Sequence, residues 1–232
     1  MNQSRCGDNW DHIALDAEHR LVLQTEPGKR SRRNVRTVVQ KVKERTRGKI
    51  LRLMTSDEFS AYKHEVLNAY GIEEKVKPTG RPGRPRKPRK KPHPQLLYAT
   101  VHKTRKNGKV INVEERIQFG TEEMLKAALK ESSVSSKVNT AFVERHNGTD
   151  RLQCSRKARK TYCFSKDWDI HNAAGYLTMY SYNFCWPVRT LRKGVAPNQF
   201  KEQTPAMSAK LAKSIWSLKE WLTLPAVFAK SS

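Results

Sequence analysis

Apolar residues recur along the chain with two periods, and each change of period marks a new element. From Trp10 through Ile13 and Leu15 to Leu21 and Leu23 they read as two short strands around the polar turn Asp16-Ala17-Glu18-His19, with Pro27-Gly28 ending the extended part. Val35, Val38, Val39 and Val42 then stand at i, i+3, i+4 and i+7, mostly separated by Arg, Lys or Gln. That spacing predicts an amphipathic helix from about Asn34, with a basic outer face and a stop near Gly48. Ile50 to Met54 is a short, mostly apolar run read as a strand. Thr55-Ser56-Asp57-Glu58 follows, and Phe59, Tyr62, Val66 and Tyr70 carry a second helical pattern to Gly71. Strand pair, helix, strand and helix is an α/β order, and helical crossovers between strands imply some parallel pairing.

Residues 78–94, PTGRPGRPRKPRKKPHP, interrupt the pattern with six prolines and seven positive charges. Proline removes backbone donors and like charges repel, so neither helix nor sheet is expected there and the segment should be extended and mobile. Beyond it, Leu96 to His102 and Val110 to Phe119 flank Lys106-Asn107-Gly108. Asn-Gly accepts the positive φ angles of a tight turn, which predicts a hairpin. A short helix from Thr121 and a Ser-rich loop at 132–136 lead to NTAFVERHNGTDRL, a helix with Asn139 or Thr140 as N-cap. Trp168 to Tyr182 reads as an aromatic-rich helix whose Asn172-Ala173-Ala174-Gly175 stretch allows close packing, broken by Pro187. A last helix is predicted from Thr204 as cap and Pro205 in the first turn, with Met207, Leu211, Ile215, Leu218 and Leu222 on one face. No internal repeat is evident.

The 232 residues suit one domain with extensions or two small ones, and 37% hydrophobic residues with 5 Trp, 7 Tyr and 7 Phe argue for a folded chain. Charge changes the picture more: 46 Lys and Arg face 22 Asp and Glu, a formal net charge of +24. Residues 29–52, 79–92 and 137–166 carry +23 of it. Three basic surfaces on a nearly neutral body is the distribution expected when particular faces meet a polyanion, and nucleic acid is favoured over acidic lipid because no basic cluster adjoins a membrane-seeking helix. No run approaches the roughly 18 apolar residues of a membrane span, and Asp8, Asp11, Asp16 and Glu18 break any signal-peptide core. A cytoplasmic, nucleoid-associated protein is expected. Cys6, Cys154, Cys163 and Cys185 form no C-x-x-C, so the usual zinc module is absent and reduced structural thiols are expected.

Glu144, Asn147 and Arg151 lie at i, i+3 and i+7, so one helical face presents a carboxylate, an amide and a guanidinium. The carboxylate can hold Mg2+ while its neighbours position a phosphate, although a solvated charged face fits the same spacing. Asp57 is the natural partner carboxylate because acidic residues at strand ends of α/β sheets face the ligand crevice. Thr55-x-x-Glu58 equally forms a capping box, which would make Asp57 a helix-start residue. Arg156-Lys157-Ala158-Arg159-Lys160 is read as following a DNA backbone next to Glu144, against an ordinary solvated face. Gly83-Arg84-Pro85-Arg86-Lys87 is similar to the core of an AT-hook, with Arg84 and Arg86 entering an A·T-rich minor groove; Pro82 stands where an Arg is usual, and a basic insert adding nonspecific phosphate affinity fits as well.

The stretches WDHIALDAEHRLVL, TSDEFSAY, NTAFVERHNGTDRLQCSRKARKTYCFSKD, YNFCWPVRTL and TPAMSAKLAKSIWSLKEWLTLP together resemble the smallest bacterial insertion-sequence transposases, over nearly the whole chain apart from the basic insert. The resemblance implies an α/β, ribonuclease H-like mixed sheet with flanking helices and a helical C-terminal tail. It also implies an Asp-Asp-Glu site using Mg2+ or Mn2+ to cleave a DNA strand at the element's end and join it to target DNA. Asp57 matches the second carboxylate and Glu144 the third, both as catalytic metal ligands. Arg151 matches the family's basic position after the glutamate, where it would grip a DNA phosphate. The first carboxylate, expected in an Asp-Glu-x-Trp context before residue 9, has no counterpart in MNQSRCGD, and Asp11 and Asp16 do not replace it: Asp11 falls in what resembles strand two, and Asp16 reads as a hairpin-turn residue. The chain is therefore expected to lack the first strand. The expected organisation is residues 1–77 and 95–186 as the ribonuclease H-like domain, 78–94 as the insert and 187–232 as the tail. Partners implied are the DNA of the element ends and target, with a homo-oligomer on DNA allowed and no membrane. The competing reading is a non-enzymatic DNA-binding transposase remnant acting through its basic surfaces.

Overall fold

A computed structural model describes residues 10–74, 88–158 and 160–224. Two compact units divide the chain: Leu15–Thr25 with Arg145 onward forms one, and the first-strand residues up to Ala14 with Glu26–Glu144 form the other. The elements are mixed α/β, as expected.

The unit ending at Glu144 is built on a three-stranded sheet in the order β3 (Met54–Asp57), β6 (Tyr98–Lys106), β7 (Lys109–Phe119). Strand β3 runs parallel to β6, with Asp57 opposite Val101, and β7 runs antiparallel to it. Both faces of the chain are buried from Leu96 to Val101, into the first half of β6, and the period of two sorts these residues between them. Leu96 and Tyr98 join Val35, Val39, Ala61, Val66, Tyr70 and Phe119 in one core; Leu97, Ala99 and Val101 join Leu125, Ala128 and Val138 in the other. The first core is supplied by α1 (Arg32–Arg45) and α2 (Ser60–Tyr70), the second by α3 (Glu122–Glu131). The valine stripe of α1 is buried as its spacing required, each full burial being worth roughly 1.5–3 kcal/mol. Ser31 caps that helix, its hydroxyl accepting from Asn34 N at 3.3 Å.

Two expectations in this unit change. The strand before α2 covers Met54–Asp57 and not the apolar run at 50–54, and α2 begins at Ser60 after Phe59, so Thr55 lies in a strand and its capping box with Glu58 does not form. Within the basic insert, Arg89–Lys91 forms a strand, β5, antiparallel to β4 (Ile72–Glu74). Sheet is possible there because the three residues lie between Pro88 and Pro92 and contain no proline, and because Glu73 and Glu74 offset the basic charge; Lys91 Nζ lies 2.5 Å from Glu74.

The hairpin of β1 (Trp10–Asp16) and β2 (Leu21–Gly28) is longer than its apolar pattern, with β2 extending through Pro27-Gly28. Helix α4 (Ala141–Gln153) contains the division between the units, after Glu144. In the second unit, α5 (Trp168–Cys185) is capped by Asp167, and Asn183 from this helix completes the edge of β2: its amide accepts from Val22 N and donates to Val22 O, both at 2.9 Å. A hairpin of β8 (Lys193–Ala196) and β9 (Gln199–Lys201) turns through Pro197-Asn198, Asn198 having φ 60. The single last helix is instead two: α6 (Pro205–Ser208), capped by Thr204, and α7 (Leu218–Thr223), capped by a Ser217–Glu220 capping box. Lys210 adopts φ 60 while Lys210 N and Leu211 N bond back to Met207 O and Ala206 O, a left-handed closure that stops α6; Leu211, Leu218 and Leu222 stay exposed. Cys154, Cys163 and Cys185 are free thiols. Among the described residues no helix is long and apolar enough to cross a membrane.

Candidate functional site

Asp57 is the last residue of β3, at the carboxyl end of a strand parallel to its neighbour. Its Oδ1 accepts from Phe59 N at 3.3 Å, which turns the chain into α2, and its Oδ2 accepts from Arg30 at 3.1 Å. The Arg30 guanidinium is held between two rings, 4.7 Å from the centre of Trp10 and 4.5 Å from that of Phe59. Beside Asp57, Glu58 receives His102 Nδ1 and Arg116, the latter at 2.9 Å, and the His102 hydrogen bond lowers its pKa. Burial raises the Tyr62 phenol well above its ordinary value and pushes Tyr98 up to about 12, with the Asp57 charge adding to both. Both phenols therefore remain neutral donors at neutral pH.

Glu144 stands in the first turn of α4, accepting a 2.8 Å hydrogen bond from the Thr140 hydroxyl and an ion pair from Lys103. The Lys103 hydrogen bond holds Glu144 below the usual carboxylate range against the opposing effect of burial. Lys103 lies two residues beyond Val101, the register partner of Asp57, so Asp57 by register and Glu144 by its ion pair are tied to nearby positions in the middle of β6. Lys103 was not singled out by the sequence reading. Its signal was present in the alternation of Val101, Lys103 and Arg105 on one strand face.

The donor chemistry suits a hard divalent cation, because both groups are carboxylates and such ions take oxygen ligands. Their cationic partners do not preclude it: Asp57 and Arg30 are 50% and 44% exposed, and exposed pairs contribute only about 0–1 kcal/mol. Among the described residues no group of three His, Cys, Asp or Glu side chains could hold a metal ion. Asp16 serves its turn, accepting from Glu18 N at 2.9 Å and pairing with His19 at 2.6 Å.

The residues expected to meet DNA separate into two groups. Arg151, Arg156 and Lys160 are exposed and Asn147 is half-buried. Lys157 is not a surface contact: its ammonium forms a 2.9 Å ion pair with Asp150, both side chains being 5% exposed. The block 155–157 is a short 3₁₀ turn, which directs Lys157 inward while Arg156 faces solvent. Gly175 permits this burial, since a Cβ there would lie 3.2 Å from Lys157 Nζ. Thr178 donates to Asp150 at 3.0 Å, and His146, one turn before Asp150, packs on Met179 and Tyr182. Burial lowers His146 to about 4. This buried cluster was missed, and only the His146/Asp150 spacing at i, i+4 pointed to it. Arg84, Arg86 and Arg159 lie outside the described residues.

Residues 118–183 match a family described as IS1 transposase, a DDE family, over a stretch that runs from the end of β7 through α3 and α4 into α5. The resemblance to insertion-sequence transposases is thereby supported. No curated protein and no solved structure matches the chain.

Proposed function

From the match of residues 118–183 to the IS1 transposase family, we propose that this chain acts in DNA transposition, by metal-dependent strand cleavage and strand transfer on a ribonuclease H-like sheet. The observation that supports the reading is the attachment of Asp57 and Glu144 to nearby positions in the middle of β6, Asp57 through its register with Val101 and Glu144 through Lys103. Under this proposal Asp57 and Glu144 hold Mg2+ or Mn2+. The ion, when bound, supplies Lewis-acid stabilisation of charge developing on the phosphodiester oxygens.

The chain's own residues do the rest. The Phe59 N–H orients Asp57, and the Thr140 hydroxyl orients Glu144. Arg30 and Lys103 neutralise the two carboxylates, a role that a bound cation would take over. Their charges would then be free to face an incoming phosphate. Exposed Arg151, Arg156 and Lys160, with Asn147, grip the DNA backbone, consistent with the preference of guanidinium groups for phosphate. A cytoplasmic location at the nucleoid follows from that partner.

A second reading is favoured by one observation, the lack of a three-ligand cluster among the described residues. In it the protein binds DNA without cutting it. Strand cleavage of DNA carrying the element's ends, with and without Mg2+ or Mn2+, separates the two. The proposal predicts metal-dependent nicking that Asp57→Asn and Glu144→Gln each lower by orders of magnitude, with DNA binding retained. Salt-sensitive binding with no cleavage in any metal would establish the second reading instead.

A further inference from the structure

We propose that residues 102–116, the part of the β6–β7 hairpin beyond its last contact with β3, form a basic ribbon that docks on duplex DNA, a partner that rests on the DNA-directed function above. Strand β3 pairs with β6 only as far as Val101, whereas β6 and β7 stay paired out to Lys106 and Lys109. The two strands therefore continue about 17 Å past the edge of β3, at roughly 3.4 Å per residue, anchored near the base by Lys103 to Thr140 and by Glu115 to Val138. The tip is a two-residue turn, Asn107 at φ 50 and Gly108 at φ 75, which matches the twist of the strands.

Every residue from Arg105 to Arg116 is exposed, including Val110, Ile111 and Val113 at 46%, 60% and 54%. Charge identifies the occupant. Residues 103–113 hold Lys103, Arg105, Lys106 and Lys109 and no acidic residue. The acidic residues of the arm are confined to its base and engaged there: Glu114 pairs with Arg116, and Glu115 accepts from Val138 N. A second copy of this chain, at +24, would be repelled by such a tip, whereas a phosphate backbone is attracted. A two-stranded ribbon also fits the major groove, where the exposed valines and isoleucine would meet apolar base and sugar edges. The arm is continuous with the candidate site, because Lys103 at its base bonds both Thr140 and Glu144. Duplex held by the arm would thus run toward the carboxylates.

The test uses the full chain, a random-sequence duplex of about 20 base pairs, and fluorescence anisotropy at several salt concentrations. Lys106→Ala with Lys109→Ala removes charge from exposed positions outside the candidate site. Lys126→Ala with Lys130→Ala on α3 removes the same charge elsewhere. The arm variant is expected to reduce the slope of log affinity against log salt by nearly 2, about 0.9 per lost phosphate contact. Across a fourfold rise in salt it then loses about tenfold less affinity than the parent. The α3 variant should keep the parental slope. If both variants match the parent, the ribbon is not a DNA contact, while the DNA-directed function stands. If the arm variant alters only the mass of the chain in sedimentation, the arm pairs protein with protein and the inference is overturned. A parent chain that does not bind duplex at all would overturn the function and the ribbon together.

Discussion

Lys157 and Asp150 are the pair of charges whose loss should be felt most strongly. Their side chains are each 5% exposed, and Thr178 satisfies a second Asp150 oxygen. Removing one partner of such a pair leaves a charge in a poorly solvated place, so Asp150→Asn is expected to cost about 3–5 kcal/mol in urea unfolding. Arg151→Ala, one residue on but exposed, should stay within about 0.5 kcal/mol. His146 supplies a pH dependence. Its folded value of about 4 lies below the ordinary 6.5, so the unfolded chain takes up the proton first as pH falls. Stability contributed by the neutral ring is complete above pH 6.5 and declines between about 6.5 and 4, by up to roughly 3 kcal/mol. Unfolding midpoints measured across that range should fall less steeply for His146→Phe than for the parent. Equal slopes would mean that His146 is not buried neutral.

At the scale of elements, the turn from β7 into α3 is made by Gly120, at φ +96 with Leu97 Cδ1 only 2.7 Å from where a Cβ would sit. Gly120→Ala should therefore destabilise the sheet by about 1–3 kcal/mol, combining left-handed strain with overpacking of the second core. Thermal unfolding would show it, and an unchanged midpoint would mean that the junction relaxes freely. Much of this architecture was legible in residue patterns. The valines of α1, the Asn107-Gly108 turn and the Thr121 cap each combine a local signal with a burial pattern that agrees with it. Three features were not. The α6–α7 break depends on Lys210 accepting a left-handed conformation, which Lys has no propensity to announce. Strand β5 depends on Glu73 and Glu74, distant in sequence from the Arg-Lys run that they pair with. The start of β3 was masked because Thr55-x-x-Glu58 satisfies a helix-capping pattern locally, and pairing with β6 overrides it. In the candidate site, Asp57 and Glu144 are proposed from spacing and resemblance, whereas their partners Arg30 and Lys103 emerged only from three-dimensional contacts. Lys157 was misassigned to the surface because a basic run carries no mark of which member turns inward.

For the whole molecule, the net charge of +24 resolves into places with different roles. Part of it is structural: Arg32 and Arg36 hold Glu65, whose carboxylate is 2% exposed, and Lys157 holds Asp150. Part is local to the carboxylates, in Arg30 and Lys103. Further cations, on the hairpin arm and at Arg151, Arg156 and Lys160, are exposed and available to a polyanion. A family match over residues 118–183 and two carboxylates tied to nearby positions of one strand are what support the proposal that this polyanion is DNA and that the protein acts on it. The central claim is that Asp57 and Glu144 serve one divalent ion, and a Mn2+ titration followed by electron paramagnetic resonance tests it most directly. Asp57→Asn and Glu144→Gln should each weaken Mn2+ binding at least about tenfold, or about 1.4 kcal/mol. The double variant should depart from the sum of the two, as residues sharing one ligand do. Mn2+ affinity that neither substitution changes would contradict the account.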